Sequence, residues 1–381
     1  MTTLNQEEIL RYSRHLMIPE VGLSGQAKLK QSSVLIVGTG GLGSPISLYL
    51  AAAGVGRLGL VDDDLVDSSN LQRQIVHGSS TVGMPKVISA KQRLSDLNPY
   101  INIEVFHERF DSLSAERIGN GYDLIVDGTD NFSTRYLIND YCVLRKKPYI
   151  FGSIFRFEGQ VSIFASNEGP CYRCIFPEPP PAELAPTCGE GGVFGVLPGI
   201  IGAMQAAEVI KILLGLGSPL IGKLLLYDAL DQSMQSIKIK KNPNCKVCGD
   251  NPQIQSLEET QIFCALHEAT EQPIPIEWAV TPHYLEEMIK NNQKIRIVDV
   301  RETVESEIAR IPGSESIPFE RLLSLFENQD TSQKVVFICR TGIRSMRAVR
   351  LLRQAGQSNV FNLSGGTNAW ARDVDPTQFI Y

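Results

Sequence analysis

A run of apolar residues, Val34-Leu-Ile-Val37, ends in Gly38-Thr-Gly-Gly-Leu-Gly43, and a helix-like stretch follows over 42–53. A short strand that feeds a G-x-G-x-x-G turn and then a helix leaves few folds open, because such a turn opens a βαβ unit. Its glycines permit a tight turn and close backbone approach to a phosphate, whose charge the helix N-terminus favours. The alternation then repeats. Strands are expected at 58–62, 101–107, 123–127 and 148–152, and helices at 84–97 and 132–144. Strand and helix in turn predict an α/β fold with a parallel, doubly wound sheet. From 160 to 241 the pattern changes to strands at 161–165, 223–228 and 234–240 around one long apolar helix. That reads as the same sheet extended by antiparallel strands.

Between 249 and 275 the periodicity fails, and Pro252, Pro273 and Pro275 among Glu and Gln residues mark 251–275 as a linker. Beyond it helices are expected at 282–290 and 343–355, and strands at 295–300 and 335–339. The organisation predicted is a first domain over 1–250 and a small α/β domain over 276–381. Of the 381 residues 43% are hydrophobic and 20% charged, which excludes a disordered chain. A net charge of −6 gives no electrostatic case for nucleic acid or an anionic membrane as partner. Residues 1–14 carry Gln6, Glu7, Glu8 and Arg11 and lack the apolar centre of a signal peptide. The stretch 197–216 is long enough to span a bilayer, but Gln205, Glu208 and Lys211 within it predict the core helix of a soluble cytoplasmic protein. Eight cysteines spread over so long a chain fit metal ligands and reactive thiols in a reducing compartment, not a disulfide framework.

The loops after the strands carry the chemistry. Asp62 ends the second strand, where a carboxylate can bind ribose hydroxyls, so the first reading is a Rossmann-like nucleotide site and a dehydrogenase. Gly217 to Lys223 spells a second phosphate-loop pattern, but Leu224 lacks the hydroxyl that would hold magnesium, and a helix precedes it where a strand should. Ser69-Asn-Leu-Gln-Arg-Gln74, Lys86 and Asp127-Gly-Thr-Asp-Asn131 all follow strand ends and can converge. An Arg and a Lys would clamp a triphosphate and an Asp would hold magnesium, neither of which hydride transfer needs. Cys171-x-x-Cys174 and Cys245-x-x-Cys248 supply four thiolates for a tetrahedral structural zinc (Zn2+), stapling segments far apart in the chain. Pro170 and Pro243 favour rigid knuckle turns there. In the C-terminal part, Cys339-Arg-Thr-Gly-Ile-Arg-Ser345 joins a strand to a helix. Backbone N–H groups of such a turn, with Arg340 and Arg344, would cradle an anion and depress the thiol pKa.

The set Arg11-Tyr-Ser-Arg14, the 38–43 turn, Asp62, Ser69 to Arg73, Lys86, Asp130-Asn131, the paired CxxC motifs and Thr187-Cys188 resembles the MoeB/ThiF branch of the ubiquitin-activating enzyme superfamily. The resemblance covers 1 to about 250 in motif order. It implies ATP binding and adenylation of the C-terminal glycine carboxylate of a ubiquitin-like sulfur carrier of the MoaD/ThiS kind. Asp130 would then hold Mg2+, Arg73 and Lys86 the phosphates and Asp62 the ribose. Asn70 would orient the phosphates and Gly41 make the close backbone approach, with Ser69, Leu71, Gln72 and Asn131 completing the nucleotide site. Arg14 would reach the partner subunit's nucleotide, which implies a homodimer. Cys188, before a glycine-rich stretch, would link covalently to the carrier, whereas Cys142 and Cys264 are bystanders. None of the five histidines, His15, His77, His107, His267 and His283, forms a catalytic constellation.

Asp299-Val-Arg-Glu302, Ile311-Pro-Gly313, the Cys339 loop and Gly365-Gly366 ahead of Trp370 resemble a rhodanese domain over about 280–381. The loop length and Ile338 before the cysteine favour a persulfide over phosphate hydrolysis. Arg310 stands where that family usually has His, and 373–381 is irregular. The combined expectation is an adenylyltransferase fused to a sulfurtransferase. Cys339 would take sulfur from thiosulfate or a cysteine desulfurase and deliver it to the acyl-adenylate as a thiocarboxylate. The product would serve molybdopterin, thiamine, cysteine or tRNA thiolation pathways. Two other classes remain at this stage: a NAD-dependent oxidoreductase with a structural zinc, and a non-catalytic scaffold that binds the carrier.

Overall fold

The first strand, β1 (Ser33–Val37), is buried along its whole length because parallel neighbours flank it on both sides. Those neighbours are β2 (Arg57–Val61) and β4 (Leu124–Asp127), and a five-residue apolar run suits a strand covered on both faces. A computed structural model describes residues 4–165, 169–179, 192–257, 275–322, 326 and 333–380, in two units, Met1–Thr270 and Glu271–Tyr381.

In the first unit β3 (Asn102–Phe106) lies outside β2, and β5 (Tyr149–Phe155) runs parallel to β4. The sheet continues antiparallel through β6 (Glu158–Phe164), β7 (Lys223–Asp228) and β8 (Ser233–Lys238). The order of the eight strands is β3-β2-β1-β4-β5-β6-β7-β8, a doubly wound parallel half with an antiparallel extension. Three short helices precede β1: α1 (Gln6–Arg11), α2 (Ser13–Leu16) and α3 (Gly22–Gln31). The crossovers run through α4 (Gly43–Ala53), α5 (Lys86–Leu97), α6 (Ser112–Gly119) and α7 (Phe132–Arg145). The helix α8 (Leu197–Leu214) packs on α4, β5 and β6. Among the described residues it alone is long and apolar enough to cross a membrane, and half of it is buried inside this fold. Two of its polar residues bond to this fold. Gln205 Nε2 donates to the Asp127 carbonyl at 2.8 Å, and Glu208 accepts the Leu220 N–H at 2.9 Å.

Four elements, α1–α3 and α6, form where hydrophobic periodicity is silent, because local bonds and buried anchors build them. Asp111 caps α6 by accepting the N–H groups of Leu113 and Ser114. The N-terminal helices are tied down by Asn98, which donates to the Tyr12 hydroxyl at 2.8 Å and the Ala51 carbonyl at 2.7 Å. Ile254 and Leu257 are buried, Ile254 beside Cys171, Cys245 and Val247, so packing of the first unit extends beyond 250. The rest of the expected linker, 258–274, lies outside the described residues.

The second unit is a five-stranded parallel sheet in the order β11-β10-β12-β13-β9. Its strands are β9 (Ala279–Val280), β10 (Ile295–Asp299), β11 (Ser314–Ser316), β12 (Lys334–Ile338) and β13 (Val360–Leu363). The helices are α9 (Pro282–Lys290), α10 (Thr303–Ile308), α11 (Ile343–Gln354) and α12 (Gly366–Asp373). Arg301 is fully buried just after β10. Its guanidinium pairs with both oxygens of Asp299 and donates to the Ala309 carbonyl at 2.6 Å. Gln378 folds the terminal segment back by accepting the Arg310 N–H and donating to the Arg310 carbonyl, which orders what looked irregular. Replacing Arg301 by Met strands a buried carboxylate. That variant is expected to lose about 3–5 kcal/mol from the second unit, read as an earlier urea transition by circular dichroism.

Candidate active sites

At the carboxyl end of β1 the backbone turns at Gly38, whose φ of +89° favours glycine. Three glycines meet there. A Cβ on Gly43 would stand 2.0 Å from the Gly38 carbonyl oxygen, and one on Gly128 would stand 2.4 Å from the same atom. The turn after β1 and the loop after β4 therefore touch backbone to backbone. This contact brings the glycine turn to the loop that carries Asp130 and Asn131.

The end of β2 arrives through Asp62, whose Oδ2 accepts the Thr39 N–H at 2.7 Å and the Thr39 hydroxyl at 3.0 Å. Lys86, buried at the start of α5, pairs with Asp64 at 2.7 Å. Arg73 donates to Asn70 Oδ1 at 2.9 Å, and its Cδ lies beside Gly41. Ser69 is bonded through N–H and hydroxyl to Asp67, Leu71 is half-buried, and Gln72 reaches Gly195 just ahead of α8. Asp130 is exposed, and Asn131 caps α7 by accepting the Thr134 N–H at 2.9 Å. Arg14 is exposed on α2, with its hydrogen bond to Met17 rather than to the groups around the turn.

A buried network next to this site has no counterpart in the sequence reading. Asp127 Oδ1 accepts the Thr129 N–H and hydroxyl at 2.8 and 2.7 Å, while Oδ2 accepts Arg135 Nε at 3.2 Å and the Tyr149 hydroxyl at 2.7 Å. Arg135 also donates to the Thr129 carbonyl at 3.3 Å and lies over the Phe151 ring. Burial alone would lower the Arg135 guanidinium, but the Asp127 charge beside it raises it. Burial and the same carboxylate push the Tyr149 hydroxyl well up. These bonds clamp the backbone that presents Asp130.

The two CxxC pairs converge. The sulfurs of Cys171 and Cys174 are 3.8 Å apart, Cys171 and Cys245 3.5 Å, and Cys174 and Cys248 3.4 Å. All four lie within 4.8 Å of one another, close to the edge of about 3.8 Å that a tetrahedron of metal–sulfur bonds demands. They are too far apart for disulfides. The knuckle between Cys171 and Cys174 is anchored on α7. Tyr172 N–H donates to Asn139, and the fully buried Arg173 forks onto Asp140.

In the second unit Cys339 follows β12 and is buried. Its sulfur accepts the Gly342 N–H at 3.1 Å and the Ser345 hydroxyl at 3.2 Å. Arg344 differs from expectation. Its guanidinium forks onto Glu305 at 2.7 and 2.6 Å, so neutral donors and not this arginine hold the thiol. Cys142 is buried in the first core, which pushes its thiol up and fits a bystander. Cys188 and Cys264 lie outside the described residues.

A glycine turn with converging Arg, Lys and Asp residues, a thiol cluster and a strand-end cysteine in a second α/β unit define a nucleotide-using enzyme joined to a sulfur-handling domain. The chain matches the ThiF family over residues 12–247 and the rhodanese-like domain over 281–373. It belongs to the ThiF family and carries a C-terminal rhodanese-like domain. It is 42% identical, over all its length and 97% of the relative's, to the "Probable adenylyltransferase/sulfurtransferase MoeZ" of Mycobacterium tuberculosis. It is 42% identical, over all its length and 91% of the relative's, to "Adenylyltransferase and sulfurtransferase MOCS3" of Culex quinquefasciatus. Among solved structures it resembles E. coli MccB with ATP, at a TM-score of 0.54 and 26% identity over 63% of this chain and 73% of that one. Adding a methyl at Gly128 is expected to cost about 1–3 kcal/mol through the clash with Gly38, whereas Gly41→Ala, with 3.4 Å of clearance to Pro198, costs under about 1 kcal/mol. Urea midpoints of the two variants check this contrast.

Proposed function

We propose that the first unit adenylates the C-terminal glycine of a ubiquitin-like sulfur carrier and that the second supplies the sulfur from a persulfide on Cys339. The observation that supports this best is the convergence of Asp62, Arg73 and Lys86 on the 38–43 turn beside the Asp130 loop. Backbone N–H groups of the turn, Arg73 and Lys86 neutralise the triphosphate, and Asp62 accepts from the ribose hydroxyls through its remaining lone pairs while Oδ2 keeps its bonds to Thr39. Asp130 is the residue that would hold Mg2+, which supplies further charge neutralisation when bound. The carrier carboxylate then attacks the α-phosphorus, a P–O bond forms, and the bond to the departing pyrophosphate breaks. Ser69, Asn70, Leu71, Gln72 and Asn131 shape the pocket. Arg14, exposed on its own protomer, completes the site of a partner subunit, so the working form is a homodimer.

The Cys188 thiol, the covalent way-station for the carrier in this reading, displaces AMP to form a thioester, and the terminal sulfur of the Cys339 persulfide then displaces Cys188. The acyl disulfide so formed is cut by an external thiol, which releases the thiocarboxylate and leaves Cys339 in a mixed disulfide that a second thiol reduces. Thiosulfate or a cysteine desulfurase recharges Cys339, and molybdopterin, thiamine, cysteine or tRNA thiolation consumes the product. The sulfur positions at Cys171, Cys174, Cys245 and Cys248 fit zinc, which would staple the segment after β8 to the segment after β6. Thiolate and persulfide chemistry suit a reducing compartment such as the cytoplasm.

With a carrier present, Asp130→Ala is expected to reduce ATP–pyrophosphate exchange by about a hundredfold or more. Elemental analysis should find one zinc per chain, lost in Cys245→Ser together with a fall in the thermal midpoint. Cys339→Ala should abolish transfer of sulfur from thiosulfate to cyanide while leaving pyrophosphate exchange unchanged.

A further inference from the structure

The histidines were set aside in the sequence, yet one of them grips the glycine turn. His77 is 9% exposed. Its Nε2 lies 3.0 Å from the carbonyl oxygen of Thr39, the second residue of the turn, and its Nδ1 lies 3.0 Å from the Ser89 hydroxyl on α5. A carbonyl only accepts, so Nε2 carries the hydrogen. Ser89 in turn is 2.8 Å from the Thr81 hydroxyl. The Ser89 hydroxyl donates to Thr81, whose own hydroxyl donates to the Gly78 carbonyl at 2.9 Å, so a hydrogen-bonded chain runs from the ring back to the turn at Gly78.

We infer that His77, with Nε2–H on the Thr39 carbonyl and Nδ1 held against Ser89, is a positioning residue of the nucleotide site that sets the Thr39–Gly40 peptide plane. Thr39 is fully buried and held from two directions, its N–H and hydroxyl by Asp62 and its carbonyl by His77. In a trans peptide the carbonyl of Thr39 and the N–H of Gly40 point opposite ways. Fixing the carbonyl toward His77 therefore fixes the Gly40 N–H away from it, pre-oriented for a phosphate oxygen. Without a Cβ at Gly40 the plane would otherwise be free to turn. Burial lowers the His77 ring from its ordinary range and Lys86 adds to that, while the bond to Thr39 and the charge of Asp62 act the other way, with lowering the net result.

The inference rests on the adenylation reading, and the test separates the two. ATP affinity and ATP–pyrophosphate exchange are measured for the full chain and for His77→Gln, His77→Leu and Ser89→Ala. Gln keeps an N–H donor near the place of Nε2, and Leu removes it. His77→Leu is expected to raise the KM for ATP about three- to tenfold with kcat changed less, His77→Gln to restore most of that loss, and Ser89→Ala to fall between. If wild-type exchange is robust but Leu and Gln behave alike in KM, or Ser89→Ala leaves ATP affinity unchanged when the Leu variant fails to fold, the inference is overturned alone. A wild-type chain that binds no ATP overturns the adenylation reading as well.

Discussion

The nucleotide site depends on one close approach, the contact of the Gly38 carbonyl with the α-carbons of Gly43 and Gly128. Side chains at those positions would hold the turn after β1 away from the loop after β4. With glycine at all three, the carboxyl ends of two adjacent parallel strands come together, and a third, β2, joins through Asp62 and Thr39. The loops that carry Arg73, Lys86 and Asp130 all follow strand ends on this edge of the sheet, the arrangement on which the proposed nucleotide site rests. The helix N-terminus of α4 and the neighbouring backbone amides complete an environment built for negative charge.

Charge is managed in the interior by a repeated device. Arg135 with Asp127, Arg173 with Asp140 and Arg301 with Asp299 are each nearly or fully out of solvent. Each arginine also touches backbone carbonyls or aromatic rings, so its fork is satisfied beyond the carboxylate. A buried pair of this kind adds little net stability but makes its geometry costly to change. The three pairs stand behind the Asp130 loop, the first cysteine knuckle and the loop after β10.

Much of the fold was legible because its signals are local. The apolar runs of β1 and β4, the glycine turn and the paired CxxC motifs each have a period or spacing that survives in one dimension. Lys223–Asp228 and the start of α8 at Leu197 fall where the pattern places them. The short helices α1, α2 and α6 carry too few turns for a period, and β13 is only four residues long. In the site, Asp62 and Lys86 lie at the strand-end positions where the spacing places them. Arg344 departs from expectation, because its partner Glu305 lies 39 positions earlier and nothing in the spacing announces the pair. The Asp127 network and the grip of His77 on Thr39 are invisible for the same reason: they join separate elements, and only folding brings them together.

Both units act on one carboxylate in this account, which makes the product decisive. The full chain is incubated with ATP, a sulfur-carrier protein and a sulfur donor, and the carrier is weighed by intact-mass spectrometry. The account predicts exchange of one C-terminal oxygen for sulfur, dependent on ATP, on Asp130 and on Cys339. Thiocarboxylate formed equally well by the Cys339→Ala chain, or without ATP, would contradict it.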